Sequence, residues 1–328
     1  MTLPPGPLTF APILKRIIWG GRRLGDRLGK PIGEETDYAE SWELVDRADD
    51  QSTVQTGPLA GMTVTQVLSA FPSEVLGRHK EARKFPLLLK YLDCNRVLSV
   101  QVHPADEYAL KMTKPDLGKT EAWYIVEAEP HSVIYAGLKP GVDRIALAEA
   151  IQNGETESVL HSFKPAAGQC VFIPAGTVHA LGDGLLVAEV QQSSDTTFRL
   201  FDWNRVDAVG NPRPLHIRQS LEVTDYARGP IHPQIPTPGV GGWELLVDCE
   251  KFMLRRAQRN SSQESFKTGG DDSPVVLMVT SGRIILEGEG WEPQSFAVGE
   301  TVLLPANLGE STIRLVTQDA NVLEINLP

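Results

Sequence analysis

Cysteine is scarce in this chain, and the three that occur, Cys94, Cys170 and Cys249, lie far apart in the sequence. An odd number of scattered cysteines argues against a disulfide framework and against cysteine-based zinc, and it is typical of a reducing compartment. No run of about 18 apolar residues occurs, so we expect no transmembrane helix. The N-terminus has no basic stretch followed by an apolar run, so we expect no signal peptide. These absences together predict a cytoplasmic protein.

Positive charge is also in short supply, since 31 Lys and Arg stand against 42 Asp and Glu, for a net charge of −11. This balance argues against nucleic acid or an anionic membrane surface as the main partner. A small anionic substrate is not excluded, because a local cluster of Lys and Arg can oppose the overall sign. Hydrophobic residues make up 41% of the 328 residues, which is ordinary for a globular protein of about two domains.

Short apolar runs separated by glycine and proline fill most of the chain and predict a mostly β protein. Helical spacing of apolar residues or helix-capping residues are confined to a few stretches, at 63–78, 143–152 and 215–223. A proline- and glycine-rich segment at 229–242 predicts a linker between an N-terminal domain, 1–228, and a C-terminal β-sandwich, 243–328. Within the C-terminal part, the Thr-Ser-Gly-Arg sequence at 280–283 predicts a hairpin.

One pattern occurs twice in the chain. The sequence GQCVFIPA at 168–175 corresponds to GETVLLPA at 299–306, with the same spacing from glycine to proline. Five residues beyond each proline, the first copy has His179 and the second has Glu310. The second copy therefore has the folding pattern without the imidazole, which favours a role for His179 beyond folding.

A predicted metal site is centred on His179. Upstream, Gln101 and His103 are two residues apart on a predicted strand, so they share a face while the flanking valines point to the other side. Glu121 begins a strongly β-forming run. A single histidine is more often structural than a ligand, but two imidazoles, a carboxylate and an amide oxygen together suit a first-row metal ion.

Lys90 is the one charge within the apolar run FPLLLKYL at 85–92. Two interpretations stay open. Its ammonium group either reaches to solvent from the edge of a strand, as long cationic side chains commonly do, or points into a substrate cleft. We count it among the candidate substrate contacts.

Four motifs occur in order, SVQVHP at 99–104, GKTEAWYIV at 118–126, FIPAGTVHAL at 172–181 and TTFRLFDWNR at 196–205. In combination they resemble the type I mannose-6-phosphate isomerases of the cupin superfamily, in particular the short bacterial form without the large helical domain. This resemblance implies a mostly β fold of two cupin-like jelly-roll sandwiches, with a few short helices inserted in and around the N-terminal catalytic one.

The same resemblance implies a zinc-dependent interconversion of mannose 6-phosphate and fructose 6-phosphate, with one zinc ion per chain. The family's metal ligands fall on Gln101, His103, Glu121 and His179. Its remaining site residues fall on Arg199 as the active-site arginine, on Lys119 as a substrate-contacting lysine and on Ser99 as the motif serine.

The chemistry restricts these roles further. Moving a proton between C1 and C2 of an open-chain sugar passes through an enediol, which needs charge stabilisation and a proton carrier. Arg199 suits the first task and not the second, because its charge is fixed. Lys119 is either a phosphate contact or the proton carrier, and the sequence does not decide between them.

Two other functions fit the same fold. An iron-dependent cupin dioxygenase is disfavoured by Gln101, since such sites usually offer more imidazoles. A non-catalytic sugar-binding cupin is disfavoured by the joint presence of Lys119, Glu121 and His179. The sequence thus predicts a small sugar phosphate as the binding partner, and a monomer or weak homo-oligomer.

Overall fold

The computed structural model describes residues 3–206, 210–259 and 264–328, which form a mostly β protein with short helices. The strands of the first part are β1 Leu8–Ala11, β2 Ile13–Gly21, β3 Tyr38–Leu44, β4 Thr53–Val54, β5 Leu87–Cys94, β6 Val100–Val102, β7 Glu121–Ala128, β8 Ile134–Leu138, β9 Leu160–Phe163, β10 Cys170–Ile173, β11 His179–Leu181, β12 Leu185–Gln192 and β13 Phe198–Phe201. They continue with β14 Thr237–Pro238, β15 Glu244–Asp248, β16 Met253–Gln258, β17 Ser265–Gly269, β18 Val275–Ser281, β19 Arg283–Gly288, β20 Trp291–Ala297, β21 Thr301–Leu304, β22 Glu310–Leu315 and β23 Asn321–Asn326.

The α-helices are α1 Arg23–Asp26, α2 Val64–Ala70, α3 Pro72–Leu76, α4 Asp106–Ala109, α5 Arg144–Gln152 and α6 Ile217–Val223, and 3-10 turns lie at Gly77–His79, Thr156–Val159, Val240–Gly242 and Ala306–Leu308. The three predicted helical stretches are confirmed. Thr63 and Gln66 form a capping box before α2, and the Asp143 carboxylate accepts a hydrogen bond from the Ala146 amide to cap α5. In the described parts of the chain, no helix is both long and apolar enough to cross a membrane.

The chain divides into two compact units. The terminal unit comprises Met1–Arg16, Arg22–Tyr91 and Gln234–Pro328, and the central unit comprises Ile17–Gly21 and Leu92–Pro233. This grouping differs from the predicted domains 1–228 and 243–328, since residues 22–91 belong with the C-terminal strands. The predicted linker contains regular structure, because β14 lies within it and pairs with β15. The two-domain division with a linker stays a proposal about how the chain folds.

Pairing of β1 explains why the N-terminal residues group with the C-terminal strands. Leu8 lies opposite Leu303, so β1 joins β21 within an eight-stranded sheet of order β14-β15-β16-β23-β18-β21-β1-β4. Antiparallel sheets accept strands from distant parts of a chain, because pairing depends on the backbone and not on sequence separation. Short apolar runs alone do not reveal such a partner.

The terminal unit contains a β-sandwich with an apolar interior. A four-stranded sheet, β17-β22-β19-β20, faces the eight-stranded one, and their inner side chains form one core. Leu277 and Val302 come from the larger sheet and Phe266, Ile284 and Ile313 from the smaller. The predicted hairpin at 280–283 is wrong, because β18 and β19 belong to different sheets. The left-handed turn at Gly282 instead passes the chain from one sheet to the other.

The central unit contains a five-stranded sheet, β13-β6-β11-β8-β9, and the neighbouring strands β10-β7-β12 of a second sheet. The five-stranded sheet has one apolar face, where Val100, Val102 and Ala180 pack with Leu147 of α5 and Leu221 of α6. The predicted inward packing of the two valines is confirmed. Because side chains alternate along a strand, the residues between them face the other way, toward the second sheet.

Candidate active site

Three predicted site residues form a row across the five-stranded sheet. Gln101 on β6 lies opposite His179 on β11 and opposite Arg199 on β13. Residues directly opposite in an antiparallel sheet present their side chains on the same face. The row therefore runs Arg199, Gln101, His179 along the face away from the apolar core, and this order follows from strand pairing alone.

His103 and Glu121 reach the same place from elsewhere in the central unit. His103 directly follows β6, two residues beyond Gln101, and is 1% exposed. Glu121 is the first residue of β7 in the second sheet, and its side chain is fully buried. Trp123, two residues further on the same face, packs edge-on against the His179 ring at 5.2 Å between centroids. The two sheets thus enclose the site between them.

His103, Glu121 and His179 form a compact buried group, with their ligand atoms all within 4.8 Å of one another. His103 Nε2 lies 3.6 Å from Glu121 Oε2, and His179 Nε2 lies 3.4 Å from Glu121 Oε1. Two ligands that each lie about 2.1 Å from a tetrahedral ion are about 3.4 Å apart. The distance from Glu121 to each imidazole is close to this separation, so the carboxylate and each imidazole are spaced as two ligands of one zinc-sized ion.

Hydrogen bonds orient both imidazoles so that Nε2 points inward. His103 Nδ1 lies 3.0 Å from the Thr196 carbonyl oxygen, and His179 Nδ1 lies 2.9 Å from the Thr177 carbonyl oxygen. Since a carbonyl only accepts, Nδ1 carries the proton and Nε2 keeps its lone pair. Burial, and then the Lys119 ammonium, lower the pKa of His179 to about 3, so this ring is neutral at physiological pH.

Two buried atoms test whether a cation suits this group. Glu121 Oε1 and His179 Nε2 have no hydrogen-bond partner in the described parts of the chain. They face each other at 3.4 Å, yet both are acceptors and cannot bond to each other. Burying such atoms without a partner is costly, and a shared divalent ion removes that cost. The donor set of two neutral imidazoles and a carboxylate therefore fits a transition metal such as zinc.

Lys119 lies within this group. Its Nζ is 2.9 Å from His103 Nε2 and forms an ion pair with Glu121 Oε2, and the residue is 5% exposed. The loop that follows α4 presents it, with the Lys119 amide bonded to the Pro104 carbonyl. The Lys119 side chain is therefore buried in contact with two of the candidate metal ligands.

Arg199 and Ser99 contact each other at the other end of the row. Arg199 Nε donates to Ser99 Oγ at 3.2 Å, and its Nη1 donates to the Pro214 carbonyl at 3.0 Å. Burial, followed by the nearby Arg213, lowers the pKa of Arg199 from its usual value. The structure thus brings together Ser99, Gln101, His103, Lys119, Glu121, His179 and Arg199 in the central unit.

Lys90 contacts two residues of the terminal unit, Glu40 and Trp42. It lies on β5, 5% exposed, with its Nζ 3.3 Å from Glu40 Oε2 and 4.9 Å from the centre of the Trp42 ring. The Trp42 indole also donates to Glu40 at 2.6 Å. The ammonium group is therefore buried and paired with a carboxylate. Its predicted contact with substrate stays a prediction.

Sequence reasoning missed the groups that hold the site in place. Thr196 supplies the carbonyl that orients His103, and the Asp116 carboxylate in turn accepts from the Thr196 hydroxyl at 2.9 Å. Trp123 donates from its indole to Glu189, which is 4% exposed. The alternation from Glu121 to Trp123 on one strand was a usable signal for the indole. No signal existed for Thr196, since every residue has a carbonyl.

A buried His–Glu–His group enclosed between two antiparallel sheets, in a chain with a second β-sandwich, defines a protein of the cupin fold class. Comparison with known proteins narrows this class. The sequence of residues 8–127 matches the protein family described as phosphomannose isomerase type I, catalytic domain. The chain belongs to the type I phosphomannose isomerase family, and it is an enzyme of that family, as the motifs predicted.

Individual relatives cover nearly the whole chain. It is 36% identical to the mannose-6-phosphate isomerase ManA of Bacillus subtilis, over 93% of this chain and 94% of the relative. It is 35% identical to the probable mannose-6-phosphate isomerase GmuF of the same organism, over 94% and 96%. The crystal structure of the mannose 6-phosphate isomerase from Bacillus subtilis superimposes with a TM-score of 0.86 at 30% identity, over 97% of this chain and 99% of that one.

Proposed function

We propose that this enzyme interconverts mannose 6-phosphate and fructose 6-phosphate through an enediol, with one zinc ion per chain. The observation that carries the proposal is the buried His103–Glu121–His179 group, with Arg199 in the same row of the sheet as His179. It occurs in a chain 36% identical to a mannose-6-phosphate isomerase over 93% of its length. This observation favours the isomerase over the dioxygenase and the non-catalytic cupin.

Four side chains would hold the ion, namely Gln101, His103, Glu121 and His179. Three of these ligands are neutral and one is anionic, so a divalent ion keeps a net positive charge at the site. When bound, the ion supplies Lewis-acid polarisation of the sugar's carbonyl and enediolate oxygens. Gln101 is assigned by its place in the row between His179 and Arg199. An amide oxygen is the weakest of the four donors.

The remaining residues act on the sugar. The Arg199 guanidinium lies one strand beyond Gln101, where its fixed positive charge stabilises the developing enediolate. Lys119 lies against His103 and Glu121, close enough to contact the phosphate or to carry the proton between C1 and C2. Ser99 accepts a hydrogen bond from Arg199, is itself 5% exposed, and is proposed as a substrate contact. Lys90 stays a substrate contact predicted from the sequence.

The test is direct. Purified protein is loaded with zinc, its metal content is measured, and mannose 6-phosphate is supplied while fructose 6-phosphate is monitored. We expect one zinc per chain and turnover that stops when a chelator removes the metal. Full zinc occupancy without formation of fructose 6-phosphate would overturn the proposal. Oxygen uptake by an iron-loaded sample would instead favour the dioxygenase.

A further inference from the structure

Arg199 is held by two separate chain segments. Its Nε donates to Ser99 Oγ at 3.2 Å, and its Nη1 donates to the Pro214 carbonyl at 3.0 Å. Ser99 follows the segment 97–98, which leads into β6, whereas Pro214 lies in the segment after β13. The direction of the guanidinium therefore depends on how these two segments are fixed relative to each other, and both lie in the central unit.

The Asp202 carboxylate is connected to both segments through two arginines. Asp202 directly follows β13 and is 5% exposed. Its Oδ2 accepts from Arg213 Nε at 2.7 Å, and its Oδ1 accepts from Arg213 Nη2 at 2.6 Å. Oδ1 also forms an ion pair with Arg205 Nη2. Paired, charge-assisted bonds of this kind are both strong and directional.

Each arginine bound by Asp202 secures one of the segments that hold Arg199. Arg213 directly precedes Pro214, so its two bonds to Asp202 restrain the chain next to the carbonyl that Arg199 contacts. Arg205 Nη1 donates to the Val97 carbonyl at 2.5 Å, two residues before Ser99. The indole of Trp203, next to Asp202, donates to the Leu98 carbonyl at 2.6 Å. Asp202 thus binds two arginines, and each of them contacts or adjoins the chain next to one of the two residues that hold Arg199.

Asp202 carries the one negative charge in this group of four side chains, against the three positive charges of Arg199, Arg205 and Arg213. Arg199, Arg205 and Arg213 are close enough that Arg213 and Arg205 each lower the pKa of Arg199, while Asp202 raises it. Burial acts to raise the pKa of Asp202, but hydrogen bonds from Arg213 and Arg205 outweigh it, and the pKa falls below its usual value. The carboxylate therefore stays ionised among three guanidinium groups.

We propose that Asp202 is a positioning residue, which aims the Arg199 guanidinium at the substrate through Arg205 and Arg213 without touching the substrate itself. This proposal rests on the role given to Arg199 in the proposed function. An Asp202→Asn variant keeps the size of the side chain and removes its charge. We expect kcat to fall by about 100-fold, since a misplacement of about 1 Å costs that much, with KM and zinc content little changed.

A double-mutant cycle separates positioning from a general structural effect. In an Arg199→Ala background, Asp202→Asn should change kcat by less than about twofold, because its effect passes through a side chain that is already absent. Glu222→Gln is the matched control. Glu222 also pairs with an arginine, Arg218 at 2.9 Å, in the same unit without contacting Arg199. This control should change kcat by less than about twofold in either background.

A second measurement does not depend on turnover. The Nε–H resonance of Arg199 is identified in ¹⁵N spectra by its loss in Arg199→Ala, and we expect it to exchange slowly because it is bonded to Ser99. We expect its exchange with solvent to become at least about tenfold faster in Asp202→Asn and to stay unchanged in Glu222→Gln. If the parent protein fails to isomerise mannose 6-phosphate, the proposed function fails, and the exchange measurement still decides the role of Asp202.

Equal kcat losses in both backgrounds, or an unchanged exchange rate, would overturn the positioning role. Loss of zinc from Asp202→Asn would overturn it as well, since the effect would then pass through the metal. If Asp202→Asn does not fold, Arg213→Gln replaces it, because it cuts the link to Pro214 and leaves Asp202 paired with Arg205. The same non-additivity with Arg199→Ala and the same faster exchange are expected.

Discussion

The two copies of the repeated pattern fold alike and yet differ in what they turn toward the interior of their sandwiches. Gly168 and Gly299 have φ of 85° and 86°, in the left-handed region that glycine tolerates, and β10 and β21 follow them. His179 and Glu310 then begin β11 and β22. His179 is fully buried beside Glu121, whereas the Glu310 side chain is 59% exposed and pairs with Lys267.

The two residues differ in burial because β11 and β22 present their apolar side chains on different faces. In the central unit, Val178 and Ala180 on either side of His179 pack beneath helices, so the face toward the second sheet is free for polar groups. In the terminal unit, Ile313 and Leu315 of β22 fill the space between the sheets, and Glu310 falls on the outer face. A shift of one residue along a strand exchanges its faces. In the central unit the helices bury the outer, apolar face of the five-stranded sheet, so its inner face can carry the polar side chains of the candidate metal site.

The largest effect should come from removing the imidazole of the first copy. His179→Ala takes away a predicted metal ligand, and we expect zinc content and isomerase turnover to fall together to background. Metal analysis and a coupled assay on the same sample measure both. The matched control is Glu310→Ala in the second copy, which should change neither, because Glu310 is exposed. Retention of zinc by His179→Ala would contradict the conclusion that the first copy, unlike the second, supplies a metal ligand.

Removing a core side chain of the terminal sandwich should act on stability alone. Phe266 is 2% exposed within the apolar core, and Phe266→Ala should lower the free energy of unfolding by about 3–5 kcal/mol. Denaturant unfolding measures the loss. Zinc content per folded chain should not change, since no predicted ligand lies in this core. A proportionate loss of zinc from the folded variant would contradict a purely structural second sandwich.

Arg199→Ala should separate binding of the metal from turnover. We expect kcat to fall by about 100- to 1000-fold, as is typical when a group that stabilises developing negative charge is lost. Zinc content should be unchanged, because Arg199 is beyond Gln101 in the row and is not a ligand. Turnover within a few-fold of the parent protein would show that the role assigned to Arg199 is wrong.

Gln101→Ala should have the mildest effect on the metal. An amide oxygen is a weak neutral ligand, so we expect zinc affinity to fall by only about tenfold, well short of the loss in His103→Ala. Competition with a chromogenic chelator ranks the two variants. Equal losses would mean that Gln101 binds the metal as strongly as an imidazole does.

Sequence patterns were sufficient for the parts of the fold and site that depend on near neighbours. Alternation along 99–104 placed Gln101 and His103 on one face, and capping residues located α2 and α5. The four motifs identified the family, which the relatives confirm. The cytoplasmic location, the oligomeric state and the identity of the metal stay predictions.

The sequence by itself determined the mostly β character, the family and the residues suited to hold a metal, because alternation, capping and motif chemistry are local properties of a chain. Only the tertiary structure decided that β1 joins β21, that β18 and β19 belong to different sheets, and that Asp202 pairs with both Arg205 and Arg213. The pairing of β1 with β21 joins residues distant in sequence. Which sheet each strand enters is selected by which apolar faces bury each other, and no short stretch of sequence records that choice.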